Sequence, residues 1–173
     1  MEFNEKTVKK EHIYKGKILA VRKDEVLLPN GKPAIREVVE HSGGSAIYCE
    51  KDGKILLVKQ FRYPYKEELY EIPAGKLNQG ETPEQTAIRE LEEEGGIKAE
   101  KVEKLFDIYP TPAYTNEIIR IFKATEFTAS QIKLDEDEFL SGEWIEKQVA
   151  KKMVNNGEIK DAKTIIAILL QVK

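Results

Sequence analysis

The sequence lacks several features that define large classes of protein. Its single cysteine, Cys49, excludes a disulfide within the chain and fits a reducing cytosol. The longest apolar run, Ile165–Leu170, is far too short to span a bilayer. The charged N-terminus contains no apolar segment of the signal-peptide type. We therefore expect a cytoplasmic protein without a membrane span.

A strong charge of one sign is also missing. The net charge of −3 over 173 residues gives no electrostatic footprint for nucleic acid or an anionic membrane. Internal repeats, low-complexity tracts and linkers rich in proline or glycine are absent as well. Since 40% of the residues are hydrophobic, the chain can build one ordinary globular core.

Strand-like segments dominate the first third of the chain and return in its second half. β-branched and apolar residues between turn signals predict strands at Ile18–Leu28, Ala34–Val39, Ser45–Cys49, Ile55–Gln60, Lys104–Tyr109, Glu117–Ala124 and Glu143–Ile145. The first two of these are joined through Asn30 and Gly31, a pair typical of a β-hairpin turn. The sequence therefore predicts a hairpin near the N-terminus.

Three helices are predicted among these strands. The first begins where Thr82 and Gln85 form a capping box around Pro83, and it runs to about Glu94 before two glycines. The other two are predicted at Glu146–Asn155, ended by Gly157, and at Ala162–Val172, capped by Asp161. Helices among mostly short strands predict a mixed α/β sandwich.

The first predicted helix has an acidic face. Glu90, Glu93 and Glu94 lie on one side of it because they are spaced i, i+3 and i+4, and Ala87 and Leu91 beside them would pack inward. Like charges one turn apart cost roughly 0.2–0.5 kcal/mol. A divalent cation would reverse that repulsion, because Mg²⁺ prefers carboxylate oxygens. The alternative is a solvated acidic face, which is the commoner meaning of such a run.

The surroundings of these acids form a long and specific motif, G-x5-E-x7-R-E-U-x-E-E-x-G-U, where U is a bulky apolar residue. Its fixed positions are Gly75, Glu81, Arg89, Glu90, Leu91, Glu93, Glu94, Gly96 and Ile97. This pattern is the complete Nudix box, so the sequence resembles a Nudix hydrolase. The resemblance implies an α/β/α sandwich with a mixed sheet and an N-terminal β-hairpin, in which a loop–helix–loop holds Mg²⁺ or Mn²⁺ against a diphosphate.

Carried over residue by residue, the resemblance implies a set of metal ligands. They are the carboxylates of Glu90, Glu94 and Glu138 and the backbone carbonyl of Ala74. Two or three Mg²⁺ ions are expected, with Mn²⁺ as the alternative. Glu93 matches a supporting or third-metal ligand with a catalytic role, and Glu136, in the acidic stretch Leu134–Phe139, matches the catalytic base. Considered without the family, that stretch is a solvated acidic turn.

Arginines complete the implied site. Arg89 matches the residue that orients a glutamate of the box, whereas Glu81 is ambiguous between a ligand and a supporting residue. Arg62 is by its chemistry a bidentate phosphate donor. Without the family it is equally well a surface arginine at a strand end.

Residues outside the box resemble the bacterial ADP-ribose pyrophosphatase branch of the family. Glu71–Gly75 is the lead-in typical of that branch, and Thr111, Pro112 and Ala113 resemble its proline-containing loop, which touches the terminal ribose. Glu117 matches a glutamate that binds substrate or metal. Considered alone, the prolines mark only a loop, and Ala113 stands where relatives usually have glycine.

The N-terminal hairpin resembles an element that this branch exchanges between subunits. We therefore expect a homodimer in which residues 1–40 form the dimerising strands and residues 41–173 form the Nudix hydrolase domain. Arg36 and Glu37 would help to hold the adenine of the partner's substrate. Without the family, the hairpin is simply two more strands of the sheet.

The resemblance implies Mg²⁺-dependent hydrolysis of ADP-ribose to AMP and ribose 5-phosphate. The expected partner is a small nucleoside diphosphate sugar, with no nucleic acid and no membrane. One alternative is a Nudix hydrolase of another nucleoside diphosphate sugar, a dinucleotide or an oxidised nucleotide. A second is a non-catalytic sensor of ADP-ribose-type ligands, against which the intact Glu90, Glu93 and Glu94 argue. A third is a purely structural protein that binds no Mg²⁺.

Overall fold

A computed structural model describes residues 3–136 and 138–172. The chain divides into two compact units, which are described separately. The first runs to Gly43 and includes Tyr109–Ile118, and the second contains Gly44–Ile108 and continues from Ile119. Within these described residues, no helix is long and apolar enough to cross a membrane.

The first unit contains an antiparallel sheet of strands β1 (Lys6–Lys15), β2 (Leu19–Leu27) and β3 (Pro33–His41) in that order. The predicted hairpin joins β2 and β3. At its turn Gly31 has a φ of 77° and donates a 2.8 Å hydrogen bond to the carbonyl of Leu28. Glycine suits this left-handed backbone because it has no Cβ. Strand β1 was not predicted, and all of its residues are exposed.

The second unit contains mixed β-structure. Its strands are β4 (Gly44–Tyr48), β5 (Glu50–Lys51), β6 (Lys54–Arg62), β7 (Glu67–Glu71), β8 (Ala74–Lys76), β9 (Ile97–Ile108), β10 (Ile119–Ala129) and β11 (Leu140–Glu146). One sheet has the order β8-β4-β10-β9, with β4 and β10 parallel and the other pairs antiparallel. The other has the order β11-β6-β5, and β7 also pairs with β6. The predicted mixed sheet is therefore present.

Helices α1 (Pro83–Gly95), α2 (Lys147–Asn155) and α3 (Ala162–Gln171) cover both faces of these sheets. Side chains alternate along β4: Ile47 packs with Leu91 of α1, whereas Tyr48 packs with Ile168 of α3. Strand β6 alternates in the same way through Leu56 and Leu57. Strands buried on both faces need apolar residues at successive positions. The predicted α/β/α layering follows from this pattern.

Candidate active site

The capping of α1 fixes the register of its acidic face. The Thr82 hydroxyl accepts a 3.2 Å hydrogen bond from the backbone N–H of Gln85, and the Gln85 side chain accepts one of 2.8 Å from the N–H of Thr82. At the other end Gly96 adopts a left-handed conformation with φ 62°. Both caps agree with the sequence prediction, and together they determine which side chains of the helix face the interior.

Two of the three glutamates face that interior. Glu90 is 6% exposed and Glu94 is 3% exposed, beside the fully buried Ala87 and Leu91. Glu93 is only half-buried. The predicted acidic face therefore lies at the edge of the core, where a charge loses much of its hydration.

The backbone of the short strand β8 lies against Glu90 and Glu94. The N–H of Ala74 donates a 3.0 Å hydrogen bond to the Glu94 carboxylate. The carboxylate of Glu90 lies so close to the Cα of Gly75 that a Cβ at that position would be 1.7 Å from its Oε1. Because only glycine leaves that space, the box glycine makes room for a box glutamate.

Arg89 holds three acids of the motif. Its Nη1 donates to Glu90 at 2.7 Å and to Glu93 at 2.8 Å, and its Nε donates to Glu81 at 2.9 Å. This is the orienting arrangement that the resemblance implies. Glu81 also accepts a hydrogen bond from the Thr86 hydroxyl, and the Arg89 guanidinium lowers the pKa of Glu81 to about 2. Its carboxylate is thus engaged with the helix.

Burial dominates the electrostatics of the two interior glutamates. It raises the pKa of Glu94 to about 8, with the charge of Glu90 as the second cause. It also raises the pKa of Glu90 to about 7, against the opposing effect of Arg89. The charge of Glu138 adds to both increases. These side chains therefore lie where additional positive charge would stabilise their ionised forms.

The side chains present fit a divalent cation by their chemistry. Carboxylate and carbonyl oxygens are the ligands that Mg²⁺ and Mn²⁺ accept. In residues 3–136 and 138–172 no three His, Cys, Asp or Glu side chains are already gathered as a metal site. The reason is visible in the hydrogen bonds, since Arg89 holds Glu90 and Glu93 while Glu94 is bonded to Ala74. Ion binding would require these contacts to rearrange locally.

Arg62 lies at the end of β6 and points its guanidinium at Glu71 of β7. Its Nε and Nη2 donate to the two carboxylate oxygens of Glu71 at 2.5 and 2.7 Å. The Arg62 side chain remains 39% exposed, and none of the hydrogen bonds between described residues uses its Nη1. Sequence reasoning did not identify Glu71 as its partner. An arginine with one edge fixed can still offer the other edge to an anion.

The acidic loop is attached to the end of α1. Ser130 donates through its backbone N–H to the Gly96 carbonyl at 2.7 Å, and Lys133 donates to the carbonyl of Glu93 at 3.0 Å. Beyond this anchor Glu136 is exposed and Glu138 is half-buried. Glu138 is near enough for its charge to act on Glu90 and Glu94, as described above. Asp137, which belongs to the predicted loop, lies outside the described residues.

The remaining predicted site residues belong to the first unit. The Glu117 carboxylate lies 3.3 Å from Nδ1 of His41. Thr111 accepts two backbone hydrogen bonds that close the proline-containing loop, which includes Pro112 and Ala113. Arg36 pairs with Glu5, and Glu37 is exposed. Their predicted contacts with substrate stay predictions.

Comparison with known families decides the identity of this fold. The family described as NUDIX domain matches residues 34–166, a segment that contains the whole glutamate motif. The chain belongs to the Nudix family. A second family, described as nucleoside diphosphate sugar hydrolase N-terminal domain, matches residues 5–39. The predicted enzyme class, a Nudix hydrolase, is confirmed, and enzymes of this class generally need a divalent metal ion.

Individual relatives extend this match over nearly the whole chain. The chain is 46% identical to the ADP-ribose pyrophosphatase of Bacillus subtilis (strain 168) over 173 residues, covering 98% of this chain and 94% of the relative. It is 39% identical over 169 residues to the methanol dehydrogenase activator of Bacillus methanolicus, covering 96% and 91%. It is 36% identical to the ADP-ribose pyrophosphatase of Mycobacterium tuberculosis (strain ATCC 25618 / H37Rv), covering 97% and 83%.

A solved structure confirms the predicted fold class. The crystal structure of an ADP compounds hydrolase superposes with a TM-score of 0.86 at 18% identity, covering 98% of this Nudix chain and 94% of that one. The α/β fold with mixed sheet, expected from the box, is therefore confirmed. At this identity the likeness concerns architecture alone.

Proposed function

We propose that this Nudix hydrolase cleaves ADP-ribose to AMP and ribose 5-phosphate. The observation that carries the proposal is the pair of interior carboxylates, Glu90 and Glu94, which lie against Gly75 and Ala74 and share Arg89 and one backbone N–H as their hydrogen-bond donors. The names of the relatives that match nearly full length support ADP-ribose as the substrate.

The proposed roles follow the chemistry of each side chain. Glu90, Glu94, Glu138 and the carbonyl of Ala74 would hold two or three Mg²⁺ ions, or Mn²⁺ in their place. When bound, such ions supply neutralisation of the charge that develops on the diphosphate. Arg62 would bind the diphosphate through its exposed edge.

Water attack completes the proposed reaction. Glu136 would accept a proton from water whose oxygen attacks one phosphorus, and the bridging P–O bond would break so that the leaving phosphate keeps the electron pair. Glu93, a half-buried residue of α1, would support the metal ligands. In the first unit, Thr111, Pro112, Ala113 and Glu117 would contact the terminal ribose, and Arg36 and Glu37 would contact adenine; these roles rest on the family resemblance.

A phosphate-release screen tests this function. Nucleoside diphosphate sugars and dinucleotides would be incubated with the protein and Mg²⁺, Mn²⁺ or EDTA, and the products treated with a phosphatase that acts only on terminal phosphates. We expect ADP-ribose to give AMP and ribose 5-phosphate with metal and to remain intact with EDTA. If ADP-ribose stays intact while another compound is cleaved, ADP-ribose is rejected as the substrate. Binding of ADP-ribose without turnover of any substrate would favour a sensor.

A second candidate is cleavage of a different nucleoside diphosphate sugar by the same site. The match of residues 5–39 to a nucleoside diphosphate sugar hydrolase N-terminal domain favours this broader class. Both candidates share the diphosphate, so the roles of Glu90, Glu94 and Arg62 are common to them. The screen above distinguishes the two by the sugar and the base.

We also propose a homodimer built through the N-terminal strands of residues 1–40, with residues 41–173 as the hydrolase domain. Support comes from β1, whose apolar Val8, Ile13 and Tyr14 are each about 58–59% exposed. Exposed apolar side chains on an open sheet are typical of an interface. Analytical ultracentrifugation should show a dimer for the wild type and a monomer for Val8→Asp/Ile13→Asp. The matched change at the exposed Leu170 of α3 should leave a dimer, and a monomeric wild type would reject the proposal.

A further inference from the structure

A buried cluster of charges lies behind Arg62. We call Arg62, Glu71, Asp161, Lys163 and Thr164 the Arg62 cluster. Glu71 is 2% exposed and Lys163 is 7% exposed, although both carry charge. Lys163 donates to Oε2 of Glu71 at 2.5 Å, the same oxygen that accepts from Nη2 of Arg62. Glu71 thus connects an interior lysine with the arginine at the surface.

The N-terminus of α3 fixes the inner end of this cluster. Asp161 caps the helix by accepting from the Thr164 N–H at 3.0 Å, and its other oxygen lies 3.0 Å from the ammonium of Lys163. The Thr164 hydroxyl accepts a 2.9 Å hydrogen bond from the backbone N–H of Ile72, next to Glu71. Strand β7 is therefore bonded to α3 by backbone and side chain together.

The arrangement limits how Arg62 can move. Two hydrogen bonds to one carboxylate define both the position and the plane of a guanidinium. That carboxylate cannot follow Arg62 outward, because Lys163 and the strand behind it hold it in place. The exposed edge of Arg62 is therefore presented in one orientation.

We propose that Lys163 is a positioning residue that, through Glu71, holds the guanidinium of Arg62 in place for the diphosphate of the substrate. This inference rests on the proposed function, in which Arg62 binds that diphosphate. The competing explanation is a buried ion pair that only fastens α3 to β7. The two explanations differ in what they predict for substrate affinity.

The test compares two lysine variants of the full-length protein. Lys163→Met removes the buried ammonium, while Lys160→Met removes the same charge from a nearby exposed lysine that pairs with Glu67 at 2.7 Å. With Mg²⁺ and ADP-ribose, we expect Lys163→Met to raise KM about tenfold with a smaller change in kcat, because a charge-assisted contact is weakened in substrate binding. Lys160→Met should leave KM within about twofold, since exposed ion pairs contribute little.

A double-mutant cycle tests whether Lys163 acts on KM through Arg62. Arg62→Ala alone should raise KM at least as much as Lys163→Met, and adding Lys163→Met to Arg62→Ala should change KM no further. A purely structural lysine would instead lower the unfolding midpoint without a KM effect, or would act equally in both backgrounds. Either of those results overturns the inference while the proposed function stands. A wild-type protein that cleaves no nucleoside diphosphate sugar overturns the proposed function itself.

A second variant covers the case in which Lys163→Met does not fold. Glu71→Gln/Lys163→Met removes the acid and the base of the most buried pair together, so neither of these two interior charges is left without the other. Arg62 would then face a neutral amide, so KM should again rise, and Arg62→Ala should again cancel the difference. A folded double variant with the KM of the wild type would refute the positioning role.

Discussion

Replacing Gly75 with alanine is expected to lower kcat/KM about a hundredfold or more, because misplacing a reacting group by about 1 Å costs that much. The new Cβ would fall 1.7 Å from Oε1 of Glu90, so the carboxylate must leave its position beside residue 75. The displaced atom is the end of a side chain, and Gly75 is not among the residues with positive φ. The fold itself should therefore lose little stability. Steady-state kinetics and thermal unfolding measure the two effects.

Gly142→Ala is the matched control. Gly142 also lies in a strand near the site, but its added Cβ would meet the Glu94 carbonyl and Leu56 at an ordinary 3.7 Å. Its activity should stay within about threefold of wild type. If Gly75→Ala keeps full activity while folded, the position of Glu90 is not needed for turnover, and its role as a metal ligand is wrong.

The part of the site on α1 could be predicted because its determinants are local. Capping by Thr82 and Gln85, the stop at Gly96 and the spacing of Glu90 and Glu94 all act within one helix. The sequence also identified Arg89 as an orienting residue. It left Glu81 ambiguous, because the hydrogen bonds of Glu81 with Arg89 depend on how the preceding loop returns to the helix.

The Arg62 cluster could not be predicted in the same way. Glu71 and Lys163 are separated by 92 positions, and no local pattern pairs them. One signal was present: Lys163 lies in the first turn of Ala162–Gln171, a helix with no other charged residue, where an inward-facing lysine needs a partner. Strand β1 was missed for the opposite reason. It is rich in lysine and exposed along its whole length, so it shows no alternation between buried and exposed positions.

The variant Glu94→Gln should lose activity by about a thousandfold or more, since a metal ligand contributes several kcal/mol to the transition state and each 1.4 kcal/mol is tenfold. Without metal, the same substitution should not lower the stability of the fold. Glu94 is buried with a single neutral hydrogen bond, from Ala74, among the described residues. The neutral amide can keep that bond and avoids burying a charge, so its unfolding midpoint in EDTA should not fall below that of the wild type.

The effect of Mg²⁺ on the unfolding midpoint distinguishes the loss of a metal ligand from simple damage to the helix. Added Mg²⁺ should raise the unfolding midpoint of the wild type, because an ion that binds only the folded state stabilises it, and it should not raise that of Glu94→Gln. Glu92→Gln provides the control, since Glu92 lies in the same acidic run but bonds to Ser130. It should keep both activity and the response to Mg²⁺. If Glu94→Gln responds to Mg²⁺ as the wild type does, the ions bind elsewhere, and the interior position of Glu94 must serve another purpose.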